Sequence, residues 1–237
     1  MKKDFETILK SLLLQGPNRG DRSRTEADVR LLLNRGVDSF AALVATADNP
    51  RVSSRMRSVA CRVLGQTNHT PAVPALLTLL GNGSPLLSWE AAKALVTILP
   101  SANKASRQLK HTLVSGRGSH NRAGAAYVLG LLGTKSALPP LIHLLQTSLT
   151  PEVRSHAAEA LGNIGEPSAT EPLIPALRDR SSRVRLAAIY ALGEAGDETA
   201  IAPLKRLVGS RGAGSGRSNL IGREANQAIK RIRRRQI

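Results

Sequence analysis

The feature that most constrains this chain is a segment that occurs twice in succession. TPEVRSHAAEALGNIGEPSATEPLIPALRD, starting at residue 150, is followed 31 residues on by SSRVRLAAIYALGEAGDETAIAPLKRLVG. Val153, Arg154, Ala157, Leu161, Gly162, Gly165, Ala169, Pro172 and Leu173 return as Val184, Arg185, Ala188, Leu192, Gly193, Gly196, Ala200, Pro203 and Leu204. Self-similarity at a fixed period of this size means that each copy is one supersecondary unit stacked on its neighbours.

Within the second copy, Val184, Ala187, Ala188, Ala191 and Leu192 fall at i, i+3, i+4, i+7 and i+8, the spacing of one helical stripe. Gly193 and Gly196 are expected to bracket the end of that helix, with a left-handed residue closing it, and Asp197 to cap the next one. The second helix carries Ala200, Leu204, Leu207 and Val208 inward. A proline recurs in it at Pro74, Pro140, Pro172 and Pro203, which predicts a helix that starts late or kinks there. One pair buries too little apolar surface to offset its chain entropy, so the pairs must stack.

The pattern VRxxAAxALGxxGxxxAxxPLxxLL resembles the HEAT-like repeat of the bilin-lyase type, within the armadillo-like superfold. The likeness is close over 119–208, looser over 36–115 and faint at both ends. It implies an all-α fold, a right-handed α-solenoid of about seven helical pairs. The family includes bilin lyase subunits, bacterial scaffold proteins and, more distantly, a HEAT-like class of DNA glycosylases, so membership implies fold strongly and function weakly.

Taken in order, residues 4–14, 25–34 and 38–47 read as short helices, with Thr25 and Asp38 as caps of the last two, and 1–48 as a degenerate terminal cap. The array proper is expected over 49–208. Leu64 and Gly65, then Leu129, Gly130 and Gly133, repeat the motif, whereas in the unit of Leu95 both linker glycines are replaced, by Val96 and Leu99. Residues 209–219, GSRGAGSGRSN within a Gly/Ser/Arg run, are expected to be flexible, and 220–237 to form a closing helix with a basic tail.

Charge narrows the partner. The net charge is +17, and it is unevenly spread. Residues 49–151 hold 11 basic side chains against Glu90 alone, and the last 27 residues hold 8 against Glu224, while 1–48 and 152–210 are close to neutral. A field of one sign along a stack steers anionic partners and weakens with salt. Aligning the second helices places Thr78, His111, His143, Pro175 and Arg206 in one row, with Lys104 and Arg107 on the same stripe as His111 and Lys110 beside it. Lys104, Arg107, Lys110 and His111, with His143 and with Arg117, Arg122 and Lys135 of the basic middle, form a candidate anion-facing strip, and Lys230, Arg231, Arg233, Arg234 and Arg235 a second cluster. Arg154 and Arg185 are read instead as structural, bridging to acids such as Asp179 at the end of the preceding unit.

No catalytic constellation, cofactor motif or metal site emerges. GTKS at 133–136 lacks the strand and full spacing of a phosphate-binding loop, GAGSG at 212–216 follows no strand, and His156 with Glu159 supplies only two ligands. Cys61 is the sole cysteine and reads as a small core residue; a reducing cytosol is the default compartment. No run is long and apolar enough to span a membrane, and a secretory signal is not expected. The expected function is a non-enzymatic scaffold or adaptor for an acidic protein surface. Alternatives are a nucleic-acid binder gripping a phosphate backbone, since aromatics for stacking are scarce, and a bilin lyase-like subunit. A glycosylase is the weakest reading, with Trp89, Tyr127 and Glu90 its only resources.

Overall fold

The computed structural model describes residues 39–67, 70–82, 84–98, 105–116, 118–209 and 216–235. The helices expected at 4–14 and 25–34, Thr25 as a cap, Asp38, Lys104 and Arg117 lie outside them. Every regular element among the described residues is helical. We number the α-helices α1 (Phe40–Asp48), α2 (Ser54–Gln66), α3 (Val73–Asn82), α4 (Pro85–Ile98), α5 (Ala105–Ser115) and α6 (Ser119–Leu131). They continue as α7 (Leu138–Thr147), α8 (Pro151–Ile164), α9 (Thr170–Leu173), α10 (Ser182–Ala195), α11 (Ile201–Gly209) and α12 (Gly216–Arg234). Even-numbered helices are the first of each pair and odd-numbered ones the second. Residues 1–108 and 109–237 form two compact units.

Small residues set the spacing between first helices. A Cβ added at Gly65 would lie 2.8 Å from the Cα of Ala94, one at Gly130 2.6 Å from that of Ala160, and one at Gly162 2.6 Å from that of Ala191. Glycine is required at these three positions because the neighbouring backbone occupies the space a side chain would need. Gly193 faces Ala228 less tightly, with an added Cβ 3.2 Å from the alanine Cβ. The leucine before each glycine, Leu64, Leu129, Leu161 and Leu192, is fully buried. In α4 Val96 holds the glycine position, and in α6 Val128 holds the alanine position.

The repeat's second glycine behaves differently from the expectation. Gly133 and Gly165 do adopt left-handed backbone, at φ 60° and 75°, but the matching Gly196 has φ −70° and closes α10 through its N–H to Leu192 O at 2.9 Å. Gly193 ends nothing: α10 runs through it to Ala195. Asp197 caps as expected, its Oδ1 accepting from the Thr199 N–H at 2.9 Å. At the start of α1 the cap is Ser39, whose Oγ accepts from the Ala42 N–H at 3.2 Å.

Each proline-bearing second helix is entered through a short 3-10 turn, so that Pro74, Pro140, Pro172 and Pro203 fall in the first turn of α3, α7, α9 and α11. The missing N–H costs nothing there, because first-turn donors have no intrahelical acceptor. The late start is thus the realised alternative. Among the described residues a true break follows α9, where Pro175 opens a 3-10 turn over Pro175–Arg178. The helix α12 starts at Gly216, earlier than the closing helix expected from 220.

Cys61 is fully buried in α2, and burial, reinforced by the Glu90 carboxylate, pushes its thiol up to about 12. The seam between first helices yields a direct test. Gly162→Ala should destabilise the fold by about 1–3 kcal/mol, since a backbone must shift to admit the methyl. Gly222→Ala, whose added Cβ meets nothing closer than 3.7 Å on α12, should be neutral or stabilise by up to about 1 kcal/mol. Urea unfolding of the two variants beside the parent measures both.

Candidate partner-binding surface

Seven residues before each core leucine stands a side chain that closes the preceding second helix. Arg57 Nε donates to Ala47 O at 2.9 Å, Arg154 Nη1 to Ser148 O at 2.8 Å, and Arg185 Nη1 to Asp179 O at 2.8 Å. In α4 a serine does the same work, Ser88 Oγ donating to Leu80 O at 3.2 Å. These groups serve the orphan carbonyls at helix ends, so they are structural. Arg122 occupies the same position in α6, half-buried with its Nε out of solvent, on a first helix rather than in the second-helix row.

The expected partnership with Asp179 takes a different form. Asp179 is gripped by Arg154 of its own unit, Nε to Oδ2 at 2.7 Å and Nη2 to Oδ1 at 2.9 Å, while Arg185 takes only its carbonyl. The bidentate bond from Arg154 holds the Asp179 carboxyl below the usual carboxylate range, aided by the Ser181 N–H, against the opposing effect of partial burial.

The residues of the aligned second-helix positions are each exposed on their own segments. Thr78, Arg107, His111, His143, Pro175 and Arg206 all face solvent. Within residues 109–237, Lys110 extends from α5 to donate from Nζ to Ser136 Oγ at 3.2 Å. Beside this contact a groove of ≈ 720 Å³ opens over α7, lined by Lys135, Ser136, Leu138, Pro139, Ile142, His143, Gln146 and Ser168. Pro139, Ile142, His143 and Gln146 are three or four apart, one stripe of α7. That spacing was readable in the sequence, and it would have added the apolar lining residues to the basic ones.

The cations of the strip are not equivalent. Lys135 is exposed, and its Nζ lies 2.5 Å from Glu166 Oε1, which raises its pKa above the ordinary value. On α12, Lys230, Arg233 and Arg234 are exposed, whereas Arg231 pairs with Glu194 at 3.0 Å. Arg235 donates to Gly193 O at 2.5 Å and Gly196 O at 2.8 Å, closing the end of α10. Two of the five terminal cations are therefore committed to holding α12 on α10. His156 is buried, with Nδ1 3.0 Å from Glu159 Oε2 and Nε2 3.0 Å from Arg183 Nη2. Among the described residues no three His, Cys, Asp or Glu side chains are grouped as metal ligands, and no helix is long and apolar enough to cross a membrane.

Comparison with known proteins rests on this geometry. HEAT repeats match over residues 38–130, 109–179 and 138–219. The chain belongs to the HEAT-repeat family. Its fold also aligns with a chain from the Kap95p–RanGDP structure at a TM-score of 0.68 and 14% identity, covering 100% of this chain and 34% of that one. A designed armadillo repeat protein aligns at 0.50 and 20% identity, over 82% of this chain and 100% of that one. The CpcE–CpcF complex of phycocyanin lyase from Nostoc sp. PCC7120 aligns at 0.47 and 20% identity over 94% of both chains, too loose a fit to bear on activity. No curated protein matches the sequence. These likenesses establish a HEAT-repeat α-solenoid and no particular ligand.

Asp179 gives this surface a pH signature. Its folded pKa is depressed, so its contribution is present above the unfolded value of about 3.9 and is lost as pH falls through the folded one. Asp179→Asn should cost about 1–3 kcal/mol at pH 7. The gap from the parent should close as unfolding is repeated from pH 5 down to about pH 2.

Proposed function

We propose that the protein is a non-enzymatic scaffold that docks an acidic segment of a partner protein along the second-helix face of residues 109–237. The observation that carries this is the α7 groove, where Leu138, Pro139 and Ile142 lie beside His143, Lys135 and the Lys110–Ser136 contact. Apolar lining supplies contact area, and the flanking cations select the sign of the partner's charge. Further along the chain Lys205 and Arg206 of α11 are exposed, as are Lys230, Arg233 and Arg234 of α12. The surplus positive charge steers association without fixing the partner's identity.

Kap95p, seen in complex with RanGDP, and a designed armadillo repeat protein share the stacked-helix plan, which supports reading the surface as a protein-docking one. Chemistry on bound small molecules has no comparable support among the described residues.

The proposal is tested by fluorescence anisotropy with a labelled Glu-rich peptide containing two leucines, titrated with the full chain. Binding is expected, weakened about fivefold or more by Lys110→Glu with His143→Glu, the pair together being roughly 1 kcal/mol of lost or reversed charge contact. If the peptide does not bind, or binds the double variant equally well, the acidic-protein reading fails. Tighter binding of duplex DNA, with an affinity falling steeply between 50 and 200 mM salt, would replace it with a phosphate-backbone reading.

A further inference from the structure

The chain has only two tyrosines, and both line one groove. Tyr127 of α6 and Tyr190 of α10 stand two residues before the core leucines Leu129 and Leu192, and Glu159 of α8 stands two before Leu161. Because the first helices are stacked in register, the order across the face is tyrosine, carboxylate, tyrosine. The groove, ≈ 770 Å³, is completed by Leu131, Asn163, Ser182, Arg183, Leu186 and Ala187. It lies on the first helices, whereas the groove proposed above for the acidic partner lies over the second helix α7.

The repeat itself does not call for this composition. In the first unit the same register position holds Arg62 and Lys93. Tyr190 is 41% exposed and Leu131 46%, although neither is needed outside the core. Tyr190 is also oriented: its hydroxyl donates to Asn163 Oδ1 at 3.1 Å, which ties the ring to the neighbouring helix. The Glu159 and Glu194 carboxylates are close enough to Tyr190 to raise the pKa of its phenol, after burial, the larger cause.

Charge decides what fits. Of the nearby cations, Arg231 is neutralised by Glu194 at 3.0 Å, and the exposed Arg183 of the lining keeps its charge but is held against His156 Nε2 at 3.0 Å. Glu159 spends one contact on His156, and its side chain remains 37% exposed. A carboxylate has about four lone-pair sites, so one contact leaves acceptor capacity. Two aromatic faces flanking a carboxylate attract a cation, and a planar guanidinium can stack on a ring while bonding the acid.

We infer that the Tyr127–Glu159–Tyr190 groove docks an arginine-bearing segment of a second protein partner. The inference does not depend on the acidic partner proposed above. With both, the stack would hold two proteins of opposite charge on its two helix layers.

The two tyrosines make the test simple, because rings labelled with carbon-13 give two NMR signals. The probe is a Gly-Ser peptide carrying two arginines, titrated into the full chain. Both ring signals are expected to shift with saturation. Glu159→Gln should weaken the titration about fivefold, as should replacing the peptide's arginines by glutamines. Lys110→Glu with His143→Glu should leave it unchanged, so failure here is distinguishable from failure of the acidic-partner reading. Silent rings, or shifts that persist unaltered in Glu159→Gln, overturn the inference. If the rings instead shift with protein concentration alone, and Glu159→Gln abolishes that, the occupant is a second copy of this chain and the proposed partner is wrong.

Discussion

The structure depends on how closely the backbones of successive first helices approach. At Gly65, Gly130 and Gly162 there is no room for a Cβ, because an alanine Cα of the next first helix already occupies the place. That approach fixes the register from one pair to the next. Residues 31 or 32 apart in sequence then become neighbours in space, and a surface can be written by choosing one side chain per unit. The energy comes from the buried leucines beside the glycines and from dispersion across a tight seam. The glycines contribute shape.

Both candidate surfaces are consequences of that register. Lys110, Lys135 and His143 share the second-helix side although their helices are separated by whole turns and loops, and Tyr127, Glu159 and Tyr190 form one row on the first-helix side. Arginines at the start of the first helices serve a separate purpose, closing the carbonyl ends of preceding helices. The arginine that recurs in the repeat motif is thus structural at Arg57, Arg154 and Arg185. The sign of the field at each surface is set by which cations find internal acceptors.

Local spacing made much of this legible. Leucine phase gave the exposure of Thr78, His111, His143, Pro175 and Arg206, each on its own second-helix segment, and proline position gave the late start of the second helices. Other features depended on distance between units, which spacing does not encode. Lys135 with Glu166, Arg231 with Glu194, and Arg235 with the carbonyls of α10 join residues 31 to 42 apart. Gly165 and Gly196 occupy identical places in the motif yet differ in φ by well over 100°, although each donates its N–H to the carbonyl of the leucine four residues before it. The tyrosine row was readable from the same leucine phase, but only once the first helices were known to stack in register.

Hydrogen–deuterium exchange of the full chain tests the central claim, that first helices are locked by glycine-to-alanine contact and second helices hang on that spine. The slowest amides should lie in α8 and α10 around Gly162 and Gly193, with α9, interrupted at Pro175, exchanging markedly faster. Equal or greater protection in α9, or seam amides exchanging as freely as those of an isolated helix, would contradict it.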